Sequence, residues 1–332
     1  MNIKPTMPLL LVLGLILGLI LTELGLRVFV PELLTGQQSL KAYISADKLV
    51  FEPGKELHVK STEQIKDGDK TTKKIQFNDN GHRDAKDISS LKEEDWIVYG
   101  GTVGFGIGVD SEKWFGNLYE NKYEPVVNVY NATLIGGSRY FLPMVESARK
   151  SGAKPVRAVF VIDLNQHPDV LLNQLKSFND IATEPDVAEL SFLQKSALAI
   201  ALGLALPPQQ EIPETLTRQQ ASKIADAFWP ALEPYAQKRQ HNVVLFVPAR
   251  GYWLDNSFGT AHRKNHELIA SAFRAKNNIY AVDVSYMMRE NYINPIDLYY
   301  DNGRLKPEGQ KMLADGWQKQ VVIFTDWQKS DD

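Results

Sequence analysis

A glycine-rich loop is the first segment whose residue types suggest chemistry. It spans Gly100–Gly108 and directly follows the apolar run Trp96–Tyr99, an arrangement in which backbone N–H groups often cradle phosphates. The spacing contradicts that use. A dinucleotide fingerprint needs glycines at i, i+2 and i+5, but Gly104 and Gly106 are followed by Val109. A P-loop needs a lysine after its last glycine, and this loop has none, so both nucleotide-binding interpretations are excluded.

Metal and thiol chemistry have little support in the sequence. The chain has no cysteine, which removes thiolate ligands, disulfides and a cysteine nucleophile. His262 and His266 are spaced i, i+4 on a predicted helix, but HRKNH lacks the glutamate of HExxH and offers no third ligand. We interpret the two histidines as a solvated helix face and expect neither a metal nor a cofactor.

Short apolar runs alternate with amphipathic segments from Trp96 onward. The predicted strands are Trp96–Tyr99, Val126–Val129, Val156–Ile162, Val243–Val247 and Ile279–Val282. The predicted helices lie around Glu112–Glu120, Ser138–Lys150, Arg218–Arg239, Ala261–Lys276 and Pro307–Trp327. This alternation is typical of a three-layer α/β fold, in which helices cover both faces of a parallel sheet and ligands bind at the carboxyl ends of the strands.

The amino terminus has a different composition. Residues Pro5–Thr22 carry no charge, and the apolar character continues to Val30, which is long enough for a membrane-spanning helix if Glu23 and Arg27 lie near an interface. We expect an uncleaved anchor, because no small-residue cleavage site follows it.

The flanking charge and the glycines of this segment indicate its orientation and a possible contact. Lys4 and the amino terminus favour a cytoplasmic start, which places the rest of the chain in the periplasm or outside the cell. Gly14 and Gly18 form a GxxxG face that could pack against another membrane-protein subunit.

Three regions follow from these patterns. Residues 1–30 form the anchor, residues 31–95 a juxtamembrane arm with a short strand at Lys74–Phe77, and residues 96–327 one α/β domain. Residues 167–217 are too long for a simple crossover and are predicted to form an insertion or cap. The 332-residue chain has a net charge of −3, without the basic excess of a nucleic-acid-binding protein, so we expect no nucleic-acid partner.

Three sequence blocks resemble the SGNH/GDSL hydrolase superfamily. The run IVYGGTVGFGIGVDSEKWF is similar to the block that carries the GDS motif, and FNDNGHRD at Phe77–Asp84 is similar to the lead-in of membrane-anchored members. Asp301-Asn302-Gly303-Arg304, followed by LKPEG, resembles the terminal DxxH block. The resemblance covers roughly Phe77–Trp317. It implies a flavodoxin-like parallel sheet.

The resemblance also implies a damaged catalytic site. In the family a serine attacks an ester, and the aspartate and histidine of DxxH activate it. Thr102 occupies the serine position, Gly101 the aspartate position of GDS, and Asp301 matches, but Arg304 replaces the histidine. Threonine keeps a hydroxyl that can attack, whereas arginine has no acceptor and stays protonated, so Arg304 cannot be the base.

The family's oxyanion hole, formed with help from a glycine and an asparagine, is also altered. The asparagine best matches Asn165, while the glycine position falls near Ala132 or Thr133. A relocated histidine base would have to come from a residue such as His167 or His82.

Each of these residues also has a purely structural interpretation. Thr102 would then cap the following helix or turn, Asp301 and Arg304 would form an i, i+3 salt bridge, and Asn165 would bond loop backbone groups.

The sequence supports three functional hypotheses. The leading one is a non-catalytic, membrane-anchored domain that acts as a binding or scaffolding subunit in a membrane complex or in surface-glycan handling. Thr102, Asn165 and Arg304 would then hold a glycan or an anionic ligand without cleaving it. The alternative is a carbohydrate O-acetyl esterase or acyltransferase with Thr102 as nucleophile and a relocated base. The third is a subunit of an integral membrane complex that is recruited through Gly14 and Gly18 of the anchor and through the arm residues 31–72.

Overall fold

We analysed a computed structural model of the protein. The residues that it describes are 14, 17–24, 44–45, 50–51, 56–60, 72–134, 141–163, 214–236, 242–276, 278–301 and 304–330. The chain divides into two compact units: Met1–Ala42 with Glu184–Glu211, and Tyr43–Thr183 with Ile212–Asp332. Most of the predicted anchor, residues 167–213 of the predicted cap at 167–217, and Asn165 lie outside the described residues, as does His167.

The described part of the first unit is helical and apolar. Residues 17–24 form helix, and the Thr22 hydroxyl donates to the Gly18 carbonyl at 2.8 Å. Five apolar side chains in this stretch are between 49% and 60% exposed: Leu17, Leu19, Ile20, Leu21 and Leu24. Among the residues that the structure describes, no helix combines the length and the apolar character needed to cross a membrane.

The predicted arm contains more structure than the single short strand expected there. Strands β1 (Ile44–Ser45) and β2 (Val50–Phe51) pair with each other, as do β3 (Glu56–Lys60) and β4 (Thr72–Gln76), both antiparallel. The expected strand at Lys74–Phe77 is therefore one half of a two-stranded sheet. Its partner, β3, is not among the predicted strands.

The second unit is organised around a five-stranded parallel sheet. Its strands are β5 (Trp96–Gly100), β6 (Val129–Asn131), β7 (Arg157–Asp163), β8 (Asn242–Val247) and β9 (Tyr280–Asp283). They lie in the order β6–β5–β7–β8–β9, and every neighbouring pair is parallel. Within the sheet this is the order 2-1-3-4-5 of flavodoxin-like folds, so the predicted sheet is confirmed. The second strand begins later than expected, because Val126 is 91% exposed.

Helices cover both faces of this sheet, as the three-layer prediction requires. They are α1 (Thr102–Phe105), α2 (Phe115–Tyr123), α3 (Phe141–Lys150), α4 (Arg218–Leu232), α5 (Ser257–Arg274), α6 (Val284–Asn291) and α7 (Pro307–Ser330). Helix α6 is not among the predicted helices. It is short, and Asp283 caps its first turn by accepting from the Ser285 N–H at 2.9 Å.

The alternating residues of the central strands belong to two different apolar layers. Val159 and Val161 of β7 face a cluster with Val103 of α1 and Trp317 of α7. Phe160 faces the other side, where its ring lies 5.4 Å from that of Phe141 on α3. The carboxyl end of β7 is therefore fixed between two packed layers, each of which buries apolar side chains worth about 2 kcal/mol apiece.

A final hairpin joins the sheet to the last helix. Strand β10 (Tyr299–Asp301) pairs antiparallel with β11 (Arg304–Leu305), with Tyr299 opposite Leu305 and Asp301 opposite Arg304. The DxxH-like block thus forms this hairpin, and Leu305 belongs to the same apolar cluster as Val103.

Candidate functional site

The strand order places the candidate site between β5 and β7. The chain moves from β5 to one neighbour, β6, and then returns to the other side of β5 as β7. In open parallel sheets, ligands bind at the carboxyl ends of the strands where the connections diverge in this way. Thr102 follows β5 and Asp163 ends β7, so both lie at this position.

Thr102 is the first residue of α1 and is half-buried. The N-cap residue is Gly101, which has no side chain to bond the free N–H groups of the first turn. Among the described residues the Thr102 hydroxyl has no hydrogen-bond partner, so the predicted capping role is wrong. The hydroxyl remains available to a ligand.

Asp163 is a buried acid at this site that the sequence analysis did not identify. Its side chain is only 3% exposed, and its Oδ2 accepts a hydrogen bond from the Val103 backbone N–H at 3.3 Å. Burial raises the pKa of Asp163 from 3.8 to about 6, although the Val103 N–H favours the ionised form. The available signal was a lone carboxylate at the end of the apolar run VRAVFVI. Perturbed acids in such positions often belong to functional sites.

The glycine-rich loop is shaped by close packing. A Cβ on Gly104 would lie 3.2 Å from Val161 Cβ and 3.3 Å from Thr133 Cγ2, so α1 can contact β7 only because this residue lacks a side chain. Gly106 has φ +70°, a left-handed conformation that favours glycine. The loop's glycines thus serve the approach of α1 to the sheet.

Arg83, from the lead-in block, forms hydrogen bonds to the same loop. Its guanidinium donates to the carbonyls of Phe105 at 2.8 Å, Gly106 at 2.6 Å and Val109 at 2.5 Å. Burial lowers its pKa to about 10, and the nearby charge of Asp110 opposes that shift. The arginine stays protonated at neutral pH. Its planar guanidinium has enough donors to bond all three carbonyls at once.

His82 is built into the lead-in turn, and among the described residues it makes no hydrogen bond to Thr102. Its backbone N–H donates to Asn78 Oδ1 at 2.9 Å, and its Nδ1 lies 2.8 Å from the Tyr130 hydroxyl. Burial lowers the pKa of His82 from 6.5 to about 4, so the ring is neutral near pH 7. A neutral imidazole is the form that accepts a proton, so a relocated base at His82 stays a prediction.

The segment that follows β6 offers no free backbone N–H at Ala132 or Thr133. Its backbone N–H donates to Asn131 Oδ1 at 3.1 Å, and its hydroxyl donates to the same oxygen. Ala132 donates its N–H to the Val98 carbonyl at 3.0 Å. Both N–H groups near the expected oxyanion position are thus already bonded within the protein.

The terminal block contacts the glycine-rich segment through Val103. Gln310 is fully buried; its Nε2 donates to the Val103 carbonyl at 3.4 Å, and its Oε1 accepts from the Phe115 N–H at 3.1 Å. Arg304 is half-buried on β11, next to α1. The structure therefore brings the Thr102 and Arg304 segments together, as the motifs predict, while the side chains of Asp301 and Asn165 lie outside the described residues.

His266 does not lie on a solvated face, contrary to the sequence interpretation. It is 2% exposed, and its Nε2 lies 2.8 Å from Asp283 Oδ1, whereas His262 is half-buried against Phe258. Asp283 belongs to the sheet face opposite Asp163, three strands from β5, which is a separation of about 14 Å. The His266–Asp283 pair is thus too distant to activate Thr102. In the described parts of the chain, no group of three or more metal-ligating side chains occurs.

Comparison with known proteins finds similar chains among solved structures. No protein-family model matches the chain, and no curated protein matches it significantly. Among solved structures, a member of the lipolytic G-D-S-L family from Veillonella parvula has 13% identity and a TM-score of 0.36, covering 68% of this chain and 97% of that chain. A lipolytic protein of the G-D-S-L family from Desulfitobacterium hafniense has 12% identity and a TM-score of 0.40, with coverages of 69% and 99%.

An alpha/beta hydrolase, LAE5 from the metagenome of Lake Arreo in Spain, is also similar, with 12% identity, a TM-score of 0.41 and coverages of 71% and 98%. Two of these three structures are described as members of the lipolytic G-D-S-L family. The site described above rests on its own geometry.

Proposed function

We propose that this protein is a non-catalytic, membrane-anchored domain that binds a ligand at the β5–β7 crevice on the extracytoplasmic side. The observation that carries the proposal is the presence of Arg304 on the hairpin beside α1, where a proton acceptor for Thr102 is required. A guanidinium is protonated at any physiological pH and has no acceptor atom.

The other polar groups of the crevice support binding over catalysis. A general base must lie within hydrogen-bond reach of the proton it takes. Asp163 bonds the Val103 N–H rather than the Thr102 hydroxyl. The Thr133 N–H, near the expected oxyanion position, already donates to Asn131. A hydroxyl, a carboxyl and a guanidinium can nevertheless hold a polar ligand by hydrogen bonds.

An ester-hydrolysis assay tests the proposal. Full-length protein purified in detergent is incubated with p-nitrophenyl acetate, with Thr102→Ala as the matched variant. We expect equal, background rates for both proteins. Turnover that disappears in Thr102→Ala would overturn the non-catalytic proposal.

The second candidate function is an O-acetyl esterase or acyltransferase. It is favoured by Asp163, which accepts a hydrogen bond from the Thr102–Val103 peptide and whose pKa is raised to about 6. The variant Thr102→Ser with Arg304→His restores both family side chains. Turnover in this variant would show that only the reactive groups are missing. Continued inactivity would show that the missing oxyanion hole also prevents catalysis.

The anchor is the second part of the proposal. Its support is the helical stretch 17–24 with exposed leucines, within a run of eighteen uncharged residues from Pro5 to Thr22. Membranes that contain the full-length protein are extracted with alkaline carbonate. We expect the protein to stay in the membrane pellet; release into the supernatant would contradict an integral anchor.

A further inference from the structure

Asp163 has more hydrogen-bonding capacity than the described protein uses. A carboxylate has two oxygens with about four acceptor positions. Asp163 accepts one hydrogen bond from the described residues, the long one from Val103. Burying a charged group with so few partners is costly unless a proton or another molecule satisfies it. Such a group at the ligand-binding edge of a parallel sheet is therefore suited to contact a ligand.

The elements around Asp163 supply few charges. Helix α1 (TVGF) and strand β8 (NVVLFV) have no titratable side chain. The titratable residue of β5 is Tyr99. It faces the opposite layer, where its ring stacks on that of Phe160. The β10–β11 hairpin carries Tyr299, Tyr300, Asp301 and Arg304, and the side chain of Asp301 lies outside the described residues. Burial raises the pKa of Tyr299 and keeps it neutral. Among the side chains that the structure describes on this hairpin, Arg304 is therefore the charged group.

We infer that Asp163 is the ligand-contacting acceptor of the crevice, and that the ligand presents a neutral hydroxyl group to it. This inference rests on the proposed binding function and specifies its ligand class. The carboxylate form repels an anion, and a cation would have to lose its hydration at a site that is only 3% exposed. A neutral hydroxyl donates a hydrogen bond to the carboxylate at much lower desolvation cost.

Proton linkage follows from this contact. Hydroxyl donors favour the ionised carboxyl, so a bound ligand lowers the pKa of Asp163 below its free value of about 6. The affinity is then constant well above that pKa. It falls by about tenfold for each pH unit below it, because the proton must leave before the hydroxyl binds.

Matched sugars that differ at one group are suitable probes of this inference. Glucose is neutral, glucuronate carries a carboxylate and glucosamine an ammonium group; galactose, galacturonate and galactosamine form a second set. Binding to the full-length protein in detergent is measured by calorimetry at about pH 7.5 and about pH 5. The Asp163 carboxyl is followed by carbon NMR and assigned with Asp163→Asn. Asp84→Asn is the control, since Asp84 is a half-buried acid whose pKa is also raised by desolvation.

We expect a neutral sugar of at least one set to bind more tightly than its charged analogues and to lower the titration midpoint of Asp163. Asp163→Asn should lose the pH dependence of binding, and Asp84→Asn should keep it. Three results would overturn the inference: no binding by either neutral sugar, tighter binding of a charged analogue, or a bound sugar that leaves the midpoint unchanged. The midpoint is measured in the unmodified protein, so the test holds even if a variant fails to fold. Ester turnover that depends on Thr102 would instead overturn the proposed function.

Discussion

The carboxylate of Asp163 accepts a hydrogen bond from the backbone N–H of Val103, with a separation of 3.3 Å between Oδ2 and N. The bond joins the end of the central strand β7 to the first turn of α1, which starts at Thr102. One group thus orients the peptide next to the candidate hydroxyl and also remains buried with spare acceptor capacity. The ionised carboxylate that would bind a ligand is therefore also the form that lowers the stability of the fold.

Asp163→Asn should stabilise the fold at neutral pH. The folded pKa of Asp163, about 6, lies above its ordinary value of 3.8, so its ionised form is disfavoured in the fold. Stability associated with its protonation is fully present below pH 3.8 and is lost as the pH rises through 6. Asparagine keeps an acceptor for Val103 and does not ionise, so its free energy of unfolding should exceed that of the wild type by roughly 2–3 kcal/mol above pH 7.

Urea unfolding at about pH 4 and about pH 7.5 measures this difference. We expect the advantage of the variant to vanish at the lower pH. An equal difference at both values would show that ionisation of Asp163 is not its source.

His82→Phe should flatten the acid side of the stability profile. The folded pKa of His82, about 4, lies below the ordinary 6.5, so the fold favours the neutral ring. Its contribution is complete above pH 6.5 and is lost as the pH falls towards 4, at up to about 1.4 kcal/mol per pH unit. Phenylalanine keeps an aromatic ring against Tyr130 but loses the hydrogen bond, at a cost of about 1 kcal/mol at neutral pH.

The check is denaturant unfolding of both proteins between about pH 4.5 and pH 7.5. The variant should be the less stable protein at the upper end and lose less stability on acidification. Parallel profiles would contradict a neutral, buried His82.

Gly104→Ala should destabilise the protein by about 1–3 kcal/mol, because its Cβ would crowd Val161 and Thr133 at 3.2–3.3 Å. Thr133→Ser removes the Cγ2 contact at 3.3 Å, keeps the hydroxyl that donates to Asn131, and costs stability by itself through a small cavity. In the double variant the two effects should partly cancel, giving a coupling energy of roughly 1 kcal/mol in a thermal unfolding cycle. Strict additivity would show that Thr133 does not limit the approach of α1.

Arg83→Lys should lower stability by about 2–4 kcal/mol despite the retained charge. A single ammonium cannot reproduce the fork that donates to the carbonyls of Phe105, Gly106 and Val109, and buried acceptors are left without partners. Lys86→Arg is a useful control, since Lys86 bonds Glu120 and the Val129 carbonyl in a partly buried position. Equal urea midpoints for Arg83→Lys and the wild type would contradict this role.

The sheet could be predicted because its strands are buried on both faces and therefore form unbroken apolar runs. The start of β6 was misplaced because Val126 is apolar but exposed. Helix α6 was missed because its eight residues span barely two turns, too few for a clear periodicity. Short elements of this kind are determined by capping and tertiary contacts.

The motifs predicted that the segments of Thr102 and Arg304 belong to one site, but they did not predict Asp163. Asp163 was missed because pKa shifts arise from three-dimensional burial, which the motif comparison does not consider. His266 was assigned to solvent, yet Ile269 and Phe273 follow it at i+3 and i+7 and are also buried. That spacing was the signal for an inward face.

Both backbone groups of Val103 are hydrogen-bonded: its N–H donates to Asp163, and its carbonyl accepts from Gln310. The side chain of Thr102 takes no part in either bond. The shape of this turn therefore does not depend on the side chain of residue 102. The fold would tolerate serine, alanine or glycine at this position. In such a scaffold, a reactive centre can be lost or regained by side-chain exchange while the crevice that receives the ligand keeps its form.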